Sequence, residues 1–203
     1  MIDYDLASII GLEGYLEAAP ENTRKAASMA MNDVIGGSGL ARYRRAISDQ
    51  INFPAGYLND DRFGMDQRAR PDHLVASLVA RQRPTSLARF ATGGAVGQRG
   101  GVSVQVKRGG SSKTFKSGFL VRLKAGSAMD GNIGLAVRLK PGQQLNKRDQ
   151  TNMVHLEANV VLLYGPSIDQ VLNTSVAEAE TPEVLDATAT EFYRQFARLQ
   201  SDA

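Results

Sequence analysis

The stretch of this 203-residue chain that looks most like a chemical site is residues 162–172, LLYGPSIDQVL. A Gly-Pro-Ser turn ahead of a helix can hold a phosphate, because a helix N-terminus presents unpaired N–H groups and the positive end of its dipole. Asp169 falls in the first turn of that helix, where a carboxylate complements the dipole and repels phosphate. We therefore predict a structural corner, in which Gly165 allows the bend, Pro166 stiffens it and Ser167 caps the helix.

Residues that commonly carry catalysis or bind metals occur here without partners. His73 and His155 each stand beside apolar residues, which favours a structural role. The acidic run at 59–64, NDDRFG, is only partly like a calcium loop, since Phe63 and Arg70 occupy positions that need ligands. Neither a G-x-S-x-G elbow nor an HExxH motif occurs. Because the chain also has no Cys, the sequence predicts no enzyme, no cofactor and no metal site.

Two glycine-rich stretches raise the question of a nucleotide site. They are GGAVGQRGG at 93–101 and GGSSK at 109–113. Neither ends in the G-K-[ST] of a phosphate-binding loop, and neither is predicted to lie between a strand and a helix. Glycine here better suits hairpin turns and loop tips.

Charge is distributed very unevenly along the chain. Residues 81–148 hold 14 Lys/Arg and one acid, whereas residues 1–80 have a net charge of −3 and residues 149–203 of −7. The basic region either faces DNA phosphates, with salt-sensitive and sequence-independent attraction, or pairs with the acidic ends of neighbouring copies. Few aromatic residues are available for base stacking, which disfavours a single-strand binder. The candidate contacts for either role are Arg81, Arg83, Arg89, Arg99, Lys107, Arg108, Lys113 and Lys116.

Residues 1–60 are predicted to be helical. Pro20 and Glu21 suit a helix N-terminus, and apolar residues recur at helical spacing as far as Ile51. Ser38 lies between two parts of this pattern, so that either it caps a second helix or one helix runs through.

Residues 167–200 are predicted to be helical again. Thr181 has the character of an N-cap and Pro182 that of the first helical residue. The predicted buried stripe of this last helix consists of Leu185, Ala189, Phe192, Phe196 and Leu199.

The intervening region, 73–165, is predicted to be mainly β. Its Val-, Leu- and Phe-rich runs are typical of strands and are separated by glycine-rich connections; they lie at 73–81, 102–107, 118–124, 133–140 and 158–165. This order predicts a single α+β domain over residues 1–203, with N-terminal helices, a central antiparallel β-sheet with long glycine-rich loops, and C-terminal helices packed on the sheet. The apolar runs are too short to span a bilayer, and the N-terminus has acids where a signal peptide needs basic residues. We expect a soluble protein with no membrane partner.

Several stretches together resemble one known family, the minor tail protein Z family. The residues that carry the resemblance are FPAGYL (53–58), RPTSLARF (83–90), GFLVRLKAG (118–126) and LYGPSIDQVL (163–172), followed by an amphipathic helix. Members of this family are tail-completion proteins of long-tailed phages and their prophages.

The resemblance implies a virion structural protein that completes the head-proximal end of a phage tail. Such proteins form homo-oligomeric rings, commonly hexamers, that join tail to neck around the DNA path. The implied partners are the tail terminator, the tail tube, the connector and genomic double-stranded DNA in the lumen, with assembly in the host cytoplasm. The alternative is a sequence-independent DNA-binding protein that acts through the basic region 81–124.

Overall fold

The structure of the chain is a computed structural model that describes residues 2–5, 20–97, 100–123, 132–145 and 153–201. It confirms the predicted α+β class, with helices toward both ends of the chain and antiparallel strands between them. The chain forms two compact units, each assembled from separate segments. We call Met1–Ile47, Leu58–Arg81 and Ile168–Ala203 the helical unit, and Ser48–Tyr57 with Gln82–Ser167 the β unit.

The N-terminal helix runs through the glycine-rich stretch without a break. It consists of α1 (Glu21–Asp33), a π-helical segment (Val34–Gly39) and α2 (Leu40–Gln50). Pro20 lies one position before the first helical residue, where its missing N–H costs nothing. Ser38 is part of the π segment and not a cap. The predicted apolar positions of this helix are buried, and they include Ala27, Ala30, Met31, Leu40, Tyr43 and Ile47.

A three-stranded antiparallel sheet belongs to the same unit. Its order is β1 (Ile2–Asp5), β3 (Val75–Ala80) and β2 (Phe63–Gln67). The run at 73–81 was predicted to be a strand, whereas β1 and β2 were not, because FGMDQ lacks the β-branched residues that mark strands. Leu78 at the centre of β3 is fully buried.

The C-terminal helical region has no new start at Pro182. It consists of α3 (Ile168–Val171), a second π segment (Leu172–Val176) and α4 (Ala177–Ser201), which packs against α1. The expectation that Thr181 caps a helix starting at Pro182 is wrong, since Pro182 lies inside α4. The Thr181 hydroxyl instead bonds the Ala177 carbonyl at 2.6 Å. The residues before Thr181 are themselves helical, so the cap-like Thr-Pro pair marks no beginning.

The buried face of α4 also differs from the predicted stripe. Val184, Thr188 and Gln195 are buried, whereas Ala189 is exposed. Thr188 donates to the Val184 carbonyl at 2.7 Å and Gln195 donates to Asp33 of α1 at 3.2 Å. A search for apolar residues does not find these positions, because Thr188 and Gln195 are polar. Their donor groups can be buried because each donates a hydrogen bond inside the protein.

The β unit is built on a five-stranded antiparallel sheet. The strand order is β4–β10–β8–β7, with β9 also paired to β10, and β5 and β6 form a separate two-stranded ladder. Predictions at 102–107, 118–124, 133–140 and 158–165 are confirmed as strands with shorter bounds, whereas β4, β6 and β9 were not predicted. The bounds are β4 Thr85–Ser86, β5 Val102–Val104, β6 Lys113–Phe115, β7 Gly118–Arg122, β8 Ile133–Arg138, β9 Met153–Glu157 and β10 Val160–Gly165.

Apolar residues are buried on both faces of the five-stranded sheet. The register aligns Leu120 of β7, Leu135 of β8 and Leu163 of β10 in one row, and all three are buried. Because alternate residues of a strand point to the same face, Val137 and Val161 form the next row and are buried as well.

A smaller aromatic cluster joins segments that are distant in sequence but belong to the same unit. Phe53 stacks on Tyr57 with ring centroids 5.2 Å apart and lies 5.6 Å from Phe90. Phe90 ends a 3₁₀ turn (Leu87–Phe90) that follows β4. The Tyr57 hydroxyl bonds the Thr85 hydroxyl at 3.1 Å. The aromatic residues of FPAGY and RPTSLARF thus have a packing role in the β unit.

Candidate functional site

The candidate basic residues are divided between the two units. Arg81 belongs to the helical unit and is half-buried, and its carbonyl accepts from the Asp169 N–H at 3.3 Å. Arg99 lies outside the described residues. The other six belong to the β unit and are all exposed; they are Arg83, Arg89, Lys107, Arg108, Lys113 and Lys116.

Charge is separated between the two units as well as along the sequence. The β unit contains 13 Lys/Arg and 4 Asp/Glu, a net charge of +9. The helical unit contains 11 Lys/Arg and 17 Asp/Glu, a net charge of −6. Folding therefore gathers the basic excess of this chain into one compact body.

Arg89 is held by the aromatic cluster. Its guanidinium carbon lies 5.1 Å from the centre of the Tyr57 ring, a distance at which a cation is attracted to the electron-rich ring face. The exposed charge is thus fixed over Tyr57 by packing.

Lys107 and Arg108 lie on a turn that the Lys107–Gly110 hydrogen bond closes at 3.1 Å. The Arg108 N–H donates to the Gln50 carbonyl at 3.0 Å. Its guanidinium lies 3.8 Å from the Asp49 carboxylate, with both side chains largely exposed. An exposed pair at this distance contributes little to stability, and it partly neutralises this end of the β unit.

Four cations line an open groove of about 720 Å³ in the β unit. Lys113 and Lys116 line it together with Arg138 and Lys140, and all four are exposed. We call this feature the cationic groove. Its remaining lining includes the amides of Gln143, Gln144 and Asn159, and no carboxylate occurs among the described residues that line it. A cluster of like charges attracts ions of the opposite sign.

Three turns form the groove, and backbone hydrogen bonds hold them together. The register of β7 on β8 places Gly118 opposite Val137, so that the turn Lys116–Ser117 lies beside the end of β8. There the Arg138 N–H donates to the Ser117 carbonyl at 3.3 Å. On the other side the Leu139 N–H donates to the Asn159 carbonyl at 2.8 Å.

Lys140 begins the turn Lys140–Gln143, which its sequence specifies. The Gln143 N–H donates to the Lys140 carbonyl at 2.9 Å, and Gly142 has a φ of 75°. Proline at the second position and left-handed glycine at the third are the requirements of a type II turn. The Lys140 N–H also donates to Gln143 Oε1 at 3.0 Å. The turn therefore holds a cation and an amide side by side at the edge of the groove.

Lys113 is placed by an aromatic ring. Its ammonium nitrogen lies 4.7 Å from the centre of the Phe115 ring, and Phe115 is buried. The cation thus lies over an apolar ring at the groove.

The prediction named Lys113 and Lys116 and missed Arg138 and Lys140. The signal for the second pair was present, because VRLK at 137–140 places two cations two residues apart, hence on the same side of an extended chain. The sequence could not indicate that the end of β8 lies beside the turn Lys116–Ser117. This proximity follows from the register of β7 on β8, which is set by long-range packing.

The predicted corner at 165–167 has a different reason from the one proposed. Gly165 is the last residue of β10, pairs with Thr85 and does not have a left-handed φ. A Cβ at this position would lie 3.1 Å from side-chain atoms of both Leu87 and Phe90. Glycine is therefore required for close packing and not for a sharp bend. Ser167 is buried, directly before α3.

No family model, curated protein or solved structure matches this chain. Among the helices described, none combines the length and apolar character that crossing a bilayer requires. Within the described ranges, no three His, Asp or Glu side chains are grouped so that they could hold a metal ion.

Proposed function

We propose that the chain is a virion structural protein that completes the head-proximal end of a phage tail, joining tail to neck around the DNA path as a homo-oligomeric ring. The tail assignment comes from the resemblance of the four stretches to the minor tail protein Z family. The protein is then not an enzyme and acts through its interfaces with further copies, with the tail terminator, tube and connector, and with genomic DNA.

The observation that carries the proposal is that each copy contains one basic and one acidic unit, with net charges of +9 and −6. A chain that contains a basic and an acidic unit attracts its own copies through unlike surfaces. Such heterologous contacts give a closed ring when the rotation between neighbours allows. Three of the resembling stretches also contribute to one packed cluster, since Phe53, Phe90 and Gly165 meet in the β unit. The resemblance thus involves residues that pack together.

The mass of the purified protein tests the ring. We expect a native mass of six copies of the 21.9 kDa chain, with partial dissociation at high salt, because exposed charge pairs are screened. A protein that is monomeric at every concentration and salt would contradict the ring.

Imaging of particles tests the tail assignment independently of the ring. In particles that lack this protein, tails are expected to fail to join heads. Normal, infectious particles made without it would exclude a tail-completion role.

The basic β unit also favours a second candidate, a sequence-independent DNA-binding protein that acts through the basic region 81–124. In this case the purified monomer binds duplexes of unrelated sequence equally well, with an affinity that falls steeply with salt. Equal affinity without any ring favours this candidate, whereas a ring without DNA binding excludes it.

A further inference from the structure

We infer that the cationic groove is a binding site for the phosphate backbone of a nucleic-acid duplex. The inference rests on the proposed function in one respect, namely that a DNA duplex passes along the protein. It goes beyond that function in naming the surface, the ligand chemistry and the residues.

The donors of the groove suit phosphate oxygens. Lys113, Lys116, Arg138 and Lys140 supply positive charge, and the amides of Gln143, Gln144 and Asn159 supply neutral donors. Contacts to a DNA backbone use this mixture of Lys, Arg and amide groups, and they fix position without reading sequence. A carboxylate in the lining would repel phosphate, and the described part of the lining contains none.

The spacing of the cations agrees with a nucleic-acid strand. Arg138 and Lys140 are two residues apart on extended chain, which separates them by about 7 Å along the chain. The phosphates of one DNA strand advance by about 3.4 Å per nucleotide along the helix axis. Two cations at this separation can therefore contact phosphates of the same strand without rearrangement of the backbone.

A duplex fits the groove better than a single strand does. Binding of single strands depends on aromatic rings that are open for bases to stack upon. The ring in the lining, Phe115, is buried and is covered by the Lys113 ammonium at 4.7 Å. This arrangement presents a cation where a single-strand binder presents a ring.

An acidic protein segment fits less well for a related reason. Protein interfaces gain most of their affinity from apolar or aromatic anchors that enter pockets. In this groove Phe115 and Val137 are buried and Leu139 and Leu145 are half-buried, so that apart from Pro141 the exposed side chains of the lining are polar or cationic. Attraction without anchors is typical of polyanion binding.

The test is a titration of a labelled duplex of mixed sequence with the full chain, between about 50 and about 200 mM salt. The primary variant is the double substitution Lys116→Gln with Lys140→Gln, and a second double variant combines Lys113→Gln with Arg138→Gln. Each phosphate contact contributes about 0.9 to the slope of log affinity against log salt. We expect each double variant to reduce the slope by about 1.8, and both together by about 3.6, if each cation neutralises one phosphate.

Two matched controls accompany these variants. Arg45→Gln with Arg68→Gln removes the same charge from exposed positions of the helical unit, and we expect the slope to stay that of the wild type. Lys116→Arg with Lys140→Arg keeps the charge and is expected to keep the slope. The second control separates loss of charge from damage to the fold, which thermal melting of each variant also reports.

The possible results separate this inference from the proposed function. Absence of duplex binding at the lowest salt, or an equal loss of slope in the helical-unit control, overturns the groove as the site. Displacement of the duplex by polyglutamate at a lower charge concentration than by unlabelled duplex also overturns it, in favour of an acidic protein partner. Native mass of the same samples tests the ring separately, because a monomer that binds duplex through the groove supports the inference and contradicts the ring.

Discussion

The helical unit and the β unit differ in the use that they make of their charged residues. In the helical unit arginines pair with acids of the same unit, as Arg42 does with Glu180 and Arg44 with Asp60 at 2.5 Å. In the β unit the cationic groove collects four cations, and the described residues of its lining include no carboxylate. Exposed ion pairs contribute only about 0–1 kcal/mol each, whereas a cluster of like charges opposes folding by repulsion. The comparison teaches that neighbouring acids offset these arginines in the helical unit, whereas the described lining of the groove offers its cations no such acid.

The largest effect that tests this comparison concerns the cores. If the units differ in surface charge and not in packing, truncation of a fully buried leucine is equally damaging in each. We expect Leu78→Ala in the helical unit and Leu135→Ala in the β unit, both at 0% exposure, each to lower the free energy of unfolding by about 2–5 kcal/mol. Urea denaturation followed by circular dichroism measures this.

Partly exposed neighbours on the same strands provide the controls for the leucine pair. Val79→Ala and Ile133→Ala change residues that are 38% and 39% exposed, and we expect losses below about 1 kcal/mol. A loss below about 1 kcal/mol for either leucine variant would show that the two cores are not equivalent.

A smaller effect is expected in the first π segment of the helical unit. A Cβ on Gly39 would lie 2.9 Å from the Val34 carbonyl oxygen and 3.1 Å from Val184 of α4, whereas a Cβ on Gly37 meets nothing within 4 Å. We expect Gly39→Ala to destabilise by about 1–2 kcal/mol through overpacking. Gly37→Ala should stabilise by up to about 1 kcal/mol, because alanine loses less backbone entropy. Opposite signs in thermal melts support close packing of α1 and α4 at Gly39, and equal signs contradict it.

The smallest expected effect concerns the ion pair between Arg194 and Glu191 in the helical unit. Hydrogen bonds from Arg194, and then from Gln195, lower the pKa of Glu191 below its ordinary 4.5. A carboxylate with a lowered folded-state pKa stabilises the fold above its ordinary pKa, and this contribution is lost as the pH falls through the folded-state value. The stability difference between the wild type and Arg194→Gln should therefore shrink as the pH falls below 4.5.

Carbon-detected NMR titration of the Glu191 carboxyl measures the same interaction directly. Its midpoint should lie below 4.5 in the wild type and rise in Arg194→Gln, while Arg68→Gln leaves it unchanged. An unaltered midpoint in Arg194→Gln would show that the pair at 2.5 Å does not persist in solution.

Periodicity sufficed for the parts of the fold that are held together by apolar residues. The buried positions from Ala27 to Ile47 follow helical spacing, and the strands at 118–124 and 133–140 are rich in Val and Leu, so the sequence alone located them. The last helix was placed less well because Thr188 and Gln195 are buried through hydrogen bonds. No apolar pattern reports such positions.

The candidate site was only partly predictable for a related reason. Charge counting along the chain located Lys113 and Lys116, because basic residues are concentrated there. It also included Arg81, which the fold places in the other unit. It left out Arg138 and Lys140, which join the groove through the pairing of β7 with β8. Strand register depends on contacts over the whole sheet, and a local pattern does not contain it.

The turn Lys140–Gln143 has a consequence for the speed of association. Pro141 and Gly142 give the turn its shape, and a backbone bond of 2.9 Å closes it. The conformational entropy of placing the Lys140 backbone is therefore lost during folding, and under the proposal of a duplex site an arriving duplex would not wait for this turn to order. Encounter would then be governed by diffusion and long-range attraction, with an on-rate that falls as salt shortens the reach of the field.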